Sequence, residues 1–501
     1  MKAILQAWLG SNTRLAAILV SCAFSLIVIA GNPVPNDDAF GYLKAAEVFN
    51  EDGLNAMLSA YGWYGYSALI AIMDRLLPIS MLASAHLLNT LLFAVLVYAF
   101  ITLVAEFDGN RETTWFAALV ILCYPTLNEM RYLLIRDFGF WACCLAALVQ
   151  LLRYQRTGGI LHGGAWLVAI TGAIFFRLEG LLMLALSPLA LLLPATPQQP
   201  LHLRAFLNLV LMMAGGAIVV LALSLLLGLN LLDIFRYAWR WYLPLLADFS
   251  ATLQGAADGS SVSEHLSGQL AIFTGKGLIA LVTGFLYLIA ANLFMALGPA
   301  ASCFTAWCLV TGRATFGPGK SPWLFFLGSS LLALLVFVAI MQFLTTRYAV
   351  MASLLLMVPL TLGISTLWRA ALNNGKTRLF RNLLYVGVFY FAVDSLISFG
   401  YSKQYMEDAI AWSQSNIPAG STLHTNSFAI AYYSGLVETY DEIMTEAVVS
   451  VNRAQAGDYL AIDLAHDENA VLALLESRPG LMELARFANK RGDAVVFYRM
   501  N

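Results

Sequence analysis

The chain has 501 residues, 60% of them hydrophobic and 12% charged, with a net charge of −2. Soluble domains carry about 25% charged residues, so this composition excludes an ordinary soluble protein, and the near-neutral charge argues against nucleic acid as a partner. A mean hydropathy of +0.74 and many runs close to the roughly 20 apolar residues that a bilayer crossing needs predict an α-helical polytopic membrane protein.

Taken in chain order, the apolar runs predict eleven spans: 15–31, 81–105, 114–128, 136–152, 162–176, 179–194, 205–228, 277–311, 322–343, 348–367 and 382–400. The eighth is long, and Gly298-Pro299 should kink it or divide it in two. The first span is too long, and lacks the small-residue cleavage site, for a signal peptide, and is read as a retained helix. Cytoplasmic loops collect Lys and Arg. An N-terminus placed inside puts Lys2, Arg14, Arg111, Arg153, Arg156, Arg204, Arg313, Lys320, Arg369, Lys376, Arg378 and Arg381 on the inner side. The C-terminus then lies outside. The six cysteines all fall in apolar spans, which supports neither a disulfide framework nor a CxxC metal site.

Two regions outside the spans are substantial. Within the transmembrane domain 1–400, residues 32–80 form the first outer loop. Asn36 or Asp37 suits a helix N-cap, Leu43, Ala46 and Phe49 share one helical face, and the aromatic-rich second half suits helices lying in the membrane interface. Residues 401–501 have soluble composition and predict a small α/β domain: strands at "STLHTNSF", "DYLAIDL" and "DAVVFYRM", a helix at "AIAYYSG", and helical periodicity through "ENAVLALLESRPGLMELARFANK".

The charged residues gather at the outer span ends. Asp37 and Asp38 stand in tandem beside lipid, where one alone would suit a helix cap and two suggest a working carboxylate pair. Arg131, Arg136, Arg177, Arg347 and Lys276 fall on the same face, where positive-inside bias predicts few cations. Each alone could snorkel to the headgroups; together they suit an anion, and a lipid phosphate is the natural one. Tyr348 could hydrogen-bond a phosphate or sugar, or serve in the aromatic belt. Arg136-Asp137 and Arg177-Leu178-Glu179 could be internal salt bridges or a second acidic site, with Glu129 a rival to Asp137. A divalent cation could sit among Asp37, Asp38 and Asp137, but no dedicated ligand pattern is present. The aromatic stretch after span seven, with Arg236 and Arg240, could close over a ligand or anchor the surface. His86 is read as a packing residue.

The order of these motifs resembles the GT-C superfamily of integral-membrane glycosyltransferases. "DDAFGYLKAAEVFNEDGLN" is similar to their first-loop signature, and "NEMRYLLIRDFGFW", "FFRLEGLL" and "TTRYAV" follow on one membrane side. The broad relatives are aminoarabinose, mannosyl and arabinofuranosyl transferases. The resemblance implies a GT-C fold with periplasmic loop helices in a bacterial inner membrane. It also implies a polyprenyl-phosphate-linked sugar as donor and a hydroxyl acceptor on glycan, lipid or protein. The catalytic base it implies is Asp37 or Asp38, with Asp37 preferred. A transporter or flippase of a lipid-linked sugar is the alternative; the one-sided charge and the lack of a sequence repeat favour the transferase.

Overall fold

The computed structural model describes residues 12–32, 34–60, 64–193, 203–226, 228, 231–258, 276–373, 375, 377–396, 404–437, 452–466 and 468–501. These form two compact units. One comprises residues 1–24, 88–130 and 136–396; the other comprises 25–87, 131–135 and 397–501.

The first unit is helical. Among the described residues of the whole chain, six helices are long and apolar enough to cross a membrane: Thr13–Ala30, Met81–Phe107, Leu203–Leu226, Gly277–Leu297, Gly317–Met341 and Thr346–Asn373. The other predicted spans fall on shorter or more polar helices, among them Arg111–Leu122, Asp137–Thr157, Ile160–Phe176 and Thr377–Leu396. The protein is a helical membrane protein. The predicted long eighth span is two helices, Gly277–Leu297 and Pro299–Val310. Gly298 takes φ 85° between them, a left-handed conformation that favours glycine, and Pro299 starts the next helix because its missing N–H costs nothing there. The predicted span 179–194 becomes a seven-residue helix, Gly180–Leu186, followed by the 3-10 turn Ser187–Leu192.

One end of this unit is tied by charge. Glu106 accepts hydrogen bonds from Arg153 Nε and Arg156 Nη1, both at 2.7 Å, and Asp108 accepts from Arg369 Nη2 at 2.8 Å. The three arginines belong to the set that the charge pattern assigns to the inner side, and each is paired here with a carboxylate.

In the second unit, the predicted first-loop helix is Asp37–Asp52, with Asn36 at its N-cap. Its apolar face is buried through Ala39, Phe40, Tyr42, Leu43, Ala45 and Ala46. The interfacial segment becomes two helices, Leu54–Ala60 and Tyr64–Leu76, and Tyr66 meets Tyr42 edge-on at 5.0 Å.

The C-terminal segment folds as a four-stranded sheet of β1 (Leu423–Thr425), β2 (Tyr459–Leu464), β3 (Leu481–Ala488) and β4 (Ala494–Met500), in the order β1-β2-β4-β3. β1 runs parallel to β2, and the other pairs are antiparallel. Leu460, Ile462, Leu464, Val496 and Tyr498 form a core on one face with Leu475. On the other face Trp412, from helix Gln404–Asn416, lies over Phe497 at 4.5 Å. Helix Phe428–Ser434 ends on Gly435 at φ 66°, where a left-handed residue closes the last turn. The helical periodicity expected through 468–490 is corrected. The helix is Asn469–Ser477 alone, and residues 481–488 are strand β3. Pro479 and Gly480 (φ 84°) break the helix, and pairing with β4 then overrides the helix-forming composition of "LMELARFA".

Candidate active site

In the first unit, the structure brings Asp137, Arg177, Glu179, Arg347 and Tyr348 together. Asp137 opens helix Asp137–Thr157, is fully buried, and sits where the helix dipole favours a negative charge. One carboxylate oxygen, Oδ1, accepts from Arg177 Nη1. The other, Oδ2, accepts from Arg347 Nε at 3.0 Å and Nη2 at 2.7 Å. Arg177 also donates to Glu179 Oε1, from Nη2 and from Nε, the latter at 3.2 Å. The Arg177 guanidinium carbon lies 5.0 Å from the Tyr348 ring centre, within cation–π range. Arg136, the residue before the Asp137 helix, adds its charge to both Asp137 and Glu179. Two carboxylates thus face three guanidinium groups, leaving one positive charge in excess.

Backbone turns aim these side chains. Arg177 leaves helix Ile160–Phe176 in extended conformation, and Glu179 begins helix Gly180–Leu186. Gly139 lets the helices approach: a Cβ there would lie 2.4 Å from the Phe176 ring, next to Arg177. A Gly139→Ala substitution should therefore push Phe176 and Arg177 away from Asp137, at a cost of about 1–3 kcal/mol. Thermal unfolding in detergent reads that loss, and an unchanged midpoint would mean the ring turns aside freely.

A small cavity of about 30 Å³ adjoins the cluster, lined by Asp137, Arg177, Glu179 and Tyr348 with Phe140 and Phe337. Arg347 keeps 21% of its side chain exposed, against 7% for Arg177 and 1% for Asp137. Arg347 is therefore the more accessible of the two arginines that bond Asp137. Both Asp137 oxygens are taken by guanidinium donors, so this carboxylate does not fit a metal ligand. Among the described residues no group of three or more His, Cys, Asp or Glu side chains could hold an ion. Glu129 lies exposed at the end of helix Pro125–Glu129, and Lys276 is exposed at the N-cap of helix Gly277–Leu297, outside the Asp137 cluster. Arg236 is exposed on helix Leu231–Asp258; the Arg240 side chain lies outside the described residues.

In the second unit, Asp37 and Asp38 are exposed in the first turn of helix Asp37–Asp52. Asn36 does not cap with its side chain. Its Oδ1 accepts from the Leu134 N–H at 2.8 Å and its Nδ2 donates to the Leu134 carbonyl at 3.5 Å, which fixes where the helix starts. Arg131 is 2% exposed and donates from Nη1 to Ser25 Oγ at 2.9 Å. His86 is half-buried.

Tyr405 is a residue that sequence reasoning missed. Burial, and then the negative charges of Asp463, Asp493 and Asp37, push its phenol above the ordinary range. It therefore stays a neutral O–H group, with Asp37 among the charges that act on it. No local signal marks it: it is one tyrosine in a polar helix start, joined to Asp37 only by the fold.

The fold and these clusters belong to a helical membrane protein. No protein-family model matches it, and no curated protein matches it significantly. Solved structures do. The apo oligosaccharyltransferase of Archaeoglobus fulgidus aligns at a TM-score of 0.56 and 12% identity, covering 91% of this chain and 70% of that one. The oligosaccharyltransferase AglB from Archaeoglobus fulgidus, in complex with an inhibitory peptide and a dolichol-phosphate, aligns at 0.54 and 13% identity with the same coverage. ArnT from Cupriavidus metallidurans bound to undecaprenyl phosphate aligns at 0.49 and 14% identity, covering 98% of each chain. The chain therefore has the GT-C glycosyltransferase fold.

Proposed function

We propose that this protein is a glycosyltransferase of the bacterial inner membrane, with its N-terminus in the cytoplasm and residues 401–501 forming a periplasmic domain. It moves a sugar from a polyprenyl-phosphate donor to a hydroxyl acceptor on a glycan, lipid or protein at the periplasmic face. The observation that carries this reading is the buried Asp137–Arg177–Arg347 cluster, with its excess positive charge, in a chain of GT-C fold. The dolichol-phosphate held by AglB is a carrier of the class proposed for the donor.

In this reaction the acceptor oxygen attacks the anomeric carbon. The bond from that carbon to the phosphate oxygen breaks, and its electron pair leaves with the phosphate. Asp37 or Asp38 takes the acceptor proton. Arg347 offsets the charge growing on the phosphate, with Arg177 and Asp137 as its preorganised support. Arg136 adds charge to that group, and Tyr348 orients it. Arg131 and Lys276 complete the set of cations assigned to the donor.

Mass spectrometry of surface glycans, proteins and lipids, with and without the gene, tests the function. Loss of one sugar modification, with the lipid-linked sugar accumulating in the outer leaflet, supports transfer. Accumulation in the inner leaflet would point to a flippase instead, and an unchanged profile would overturn the reading. For the site, Arg347→Ala should weaken apparent donor binding about 10–100-fold, the range expected for hydrogen bonds to a charged group. Unchanged donor affinity would return Arg347 to a purely structural role.

A further inference from the structure

A second arginine pocket lies in the first unit, far from Asp137. Arg153 and Arg156 end the helix that Asp137 begins, and both bind Glu106. That helix has 21 residues, so its two ends are about 30 Å apart at 1.5 Å per residue. Arg111 follows Glu106 by five residues and begins helix Arg111–Leu122. Beside it, a pocket of about 510 Å³ is lined by Arg14 and Arg111, with Thr13 and Thr114.

Four features of this pocket suit a phosphate. Two guanidinium groups line it, and among the described residues no carboxylate does; Glu112, in the same helical turn as Arg111, is absent from its walls. The Arg14 Nε is buried and meets no acceptor among the described residues. Among the described residues neither arginine forms an ion pair, whereas Arg153, Arg156 and Arg369 at the same end are all paired. Finally, helices Thr13–Ala30 and Arg111–Leu122 both start at the pocket, so their N-terminal N–H groups add positive potential.

The rest of the wall suits a lipid rather than a free ion. Leu15, Ile18 and Tyr98 continue the pocket along helices Thr13–Ala30 and Met81–Phe107, both long and apolar enough to span a bilayer. Leu15 is 45% exposed and Tyr98 48% exposed. The pocket is thus cationic at the helix starts and apolar further along. We propose that it holds one anionic phospholipid, with the headgroup phosphate between Arg14 and Arg111 and the first part of an acyl chain against Leu15, Ile18 and Tyr98.

The test is native mass spectrometry and thermal unfolding of the full chain. Protein is taken from vesicles of phosphatidylcholine with or without phosphatidylglycerol, and inorganic phosphate is added in a separate arm. Wild-type protein should retain one phosphatidylglycerol and unfold at higher temperature with it. Arg14→Gln and Arg111→Gln should each lower retention about tenfold or more. Arg204→Gln, at an exposed cation in the first turn of helix Leu203–Leu226, should leave retention unchanged. Arg111→Lys keeps the charge without the planar fork, and intermediate retention is expected from a variant this conservative should the glutamine variants fail to fold. Equal stabilisation by inorganic phosphate would overturn the lipid assignment. So would the absence of retained lipid on wild-type protein, or an equal loss in Arg204→Gln.

Discussion

Asp137→Ala should lower the stability of the membrane-embedded unit by about 3–5 kcal/mol, the usual cost of removing one partner from a buried ion pair. Arg177 and Arg347 both direct hydrogen bonds at this carboxylate, and Arg177 is only 6% exposed. Without it, a buried guanidinium is left with Glu179 alone, and Arg347 loses the acceptor that aims it. Transfer should fall in the same variant, because the proposed phosphate contact is held by this carboxylate. Thermal unfolding and donor turnover are the two measurements. A double-mutant cycle with Arg347→Ala separates them, since residues sharing a hydrogen-bond network show coupling of about 0.5–3 kcal/mol. A loss below about 1 kcal/mol, the level of a solvated surface pair, would show that the cluster is wet and its geometry unimportant.

The second large effect concerns turnover alone. Asp37→Asn should reduce kcat by about 10²–10⁴-fold, the contribution typical of a positioned general base, while the unfolding midpoint stays near wild type. Both aspartates are exposed in the first helical turn, and Asn36 holds the start of that helix through the Leu134 backbone. Asparagine keeps the shape and a hydrogen-bond acceptor but cannot take a proton. Asp38→Asn is the paired measurement: whichever variant loses turnover identifies the base. Full activity in both would remove a carboxylate base from the mechanism.

Much of the architecture was legible because hydropathy and charge are local properties. Spans such as 81–105 and 348–367 lie on helices Met81–Phe107 and Thr346–Asn373 because apolar length is what a bilayer selects. The tandem Asp37-Asp38 at a helix start was visible for the same reason, since a cap and a following amphipathic face are written within a few residues. Pairings across the chain were not. Asp137 and Arg347 are 210 positions apart, and the local pairs Arg136-Asp137 and Arg177-Leu178-Glu179 suggested salt bridges without pointing to Arg347. Strand β3 was misread because Leu, Met, Glu and Ala in "LMELARFA" favour a helix locally, and only its partner β4 makes it a strand. Tyr405 was silent because its significance comes from three aspartates distant in the chain.

The Tyr432 hydroxyl donates to Glu47 Oε1 at 2.9 Å, across 385 positions of sequence. The rings of Tyr432 and Tyr433 stand 5.4 and 5.8 Å from that of Phe40, three residues beyond Asp37. During biosynthesis the first loop leaves the ribosome well before these tyrosines do. The Asp37 helix must therefore wait for Tyr432 and Tyr433 before its aromatic side is covered. A chain cut just before Tyr432 would keep the six described helices long enough to cross a bilayer and still leave Phe40 without the rings that shelter it.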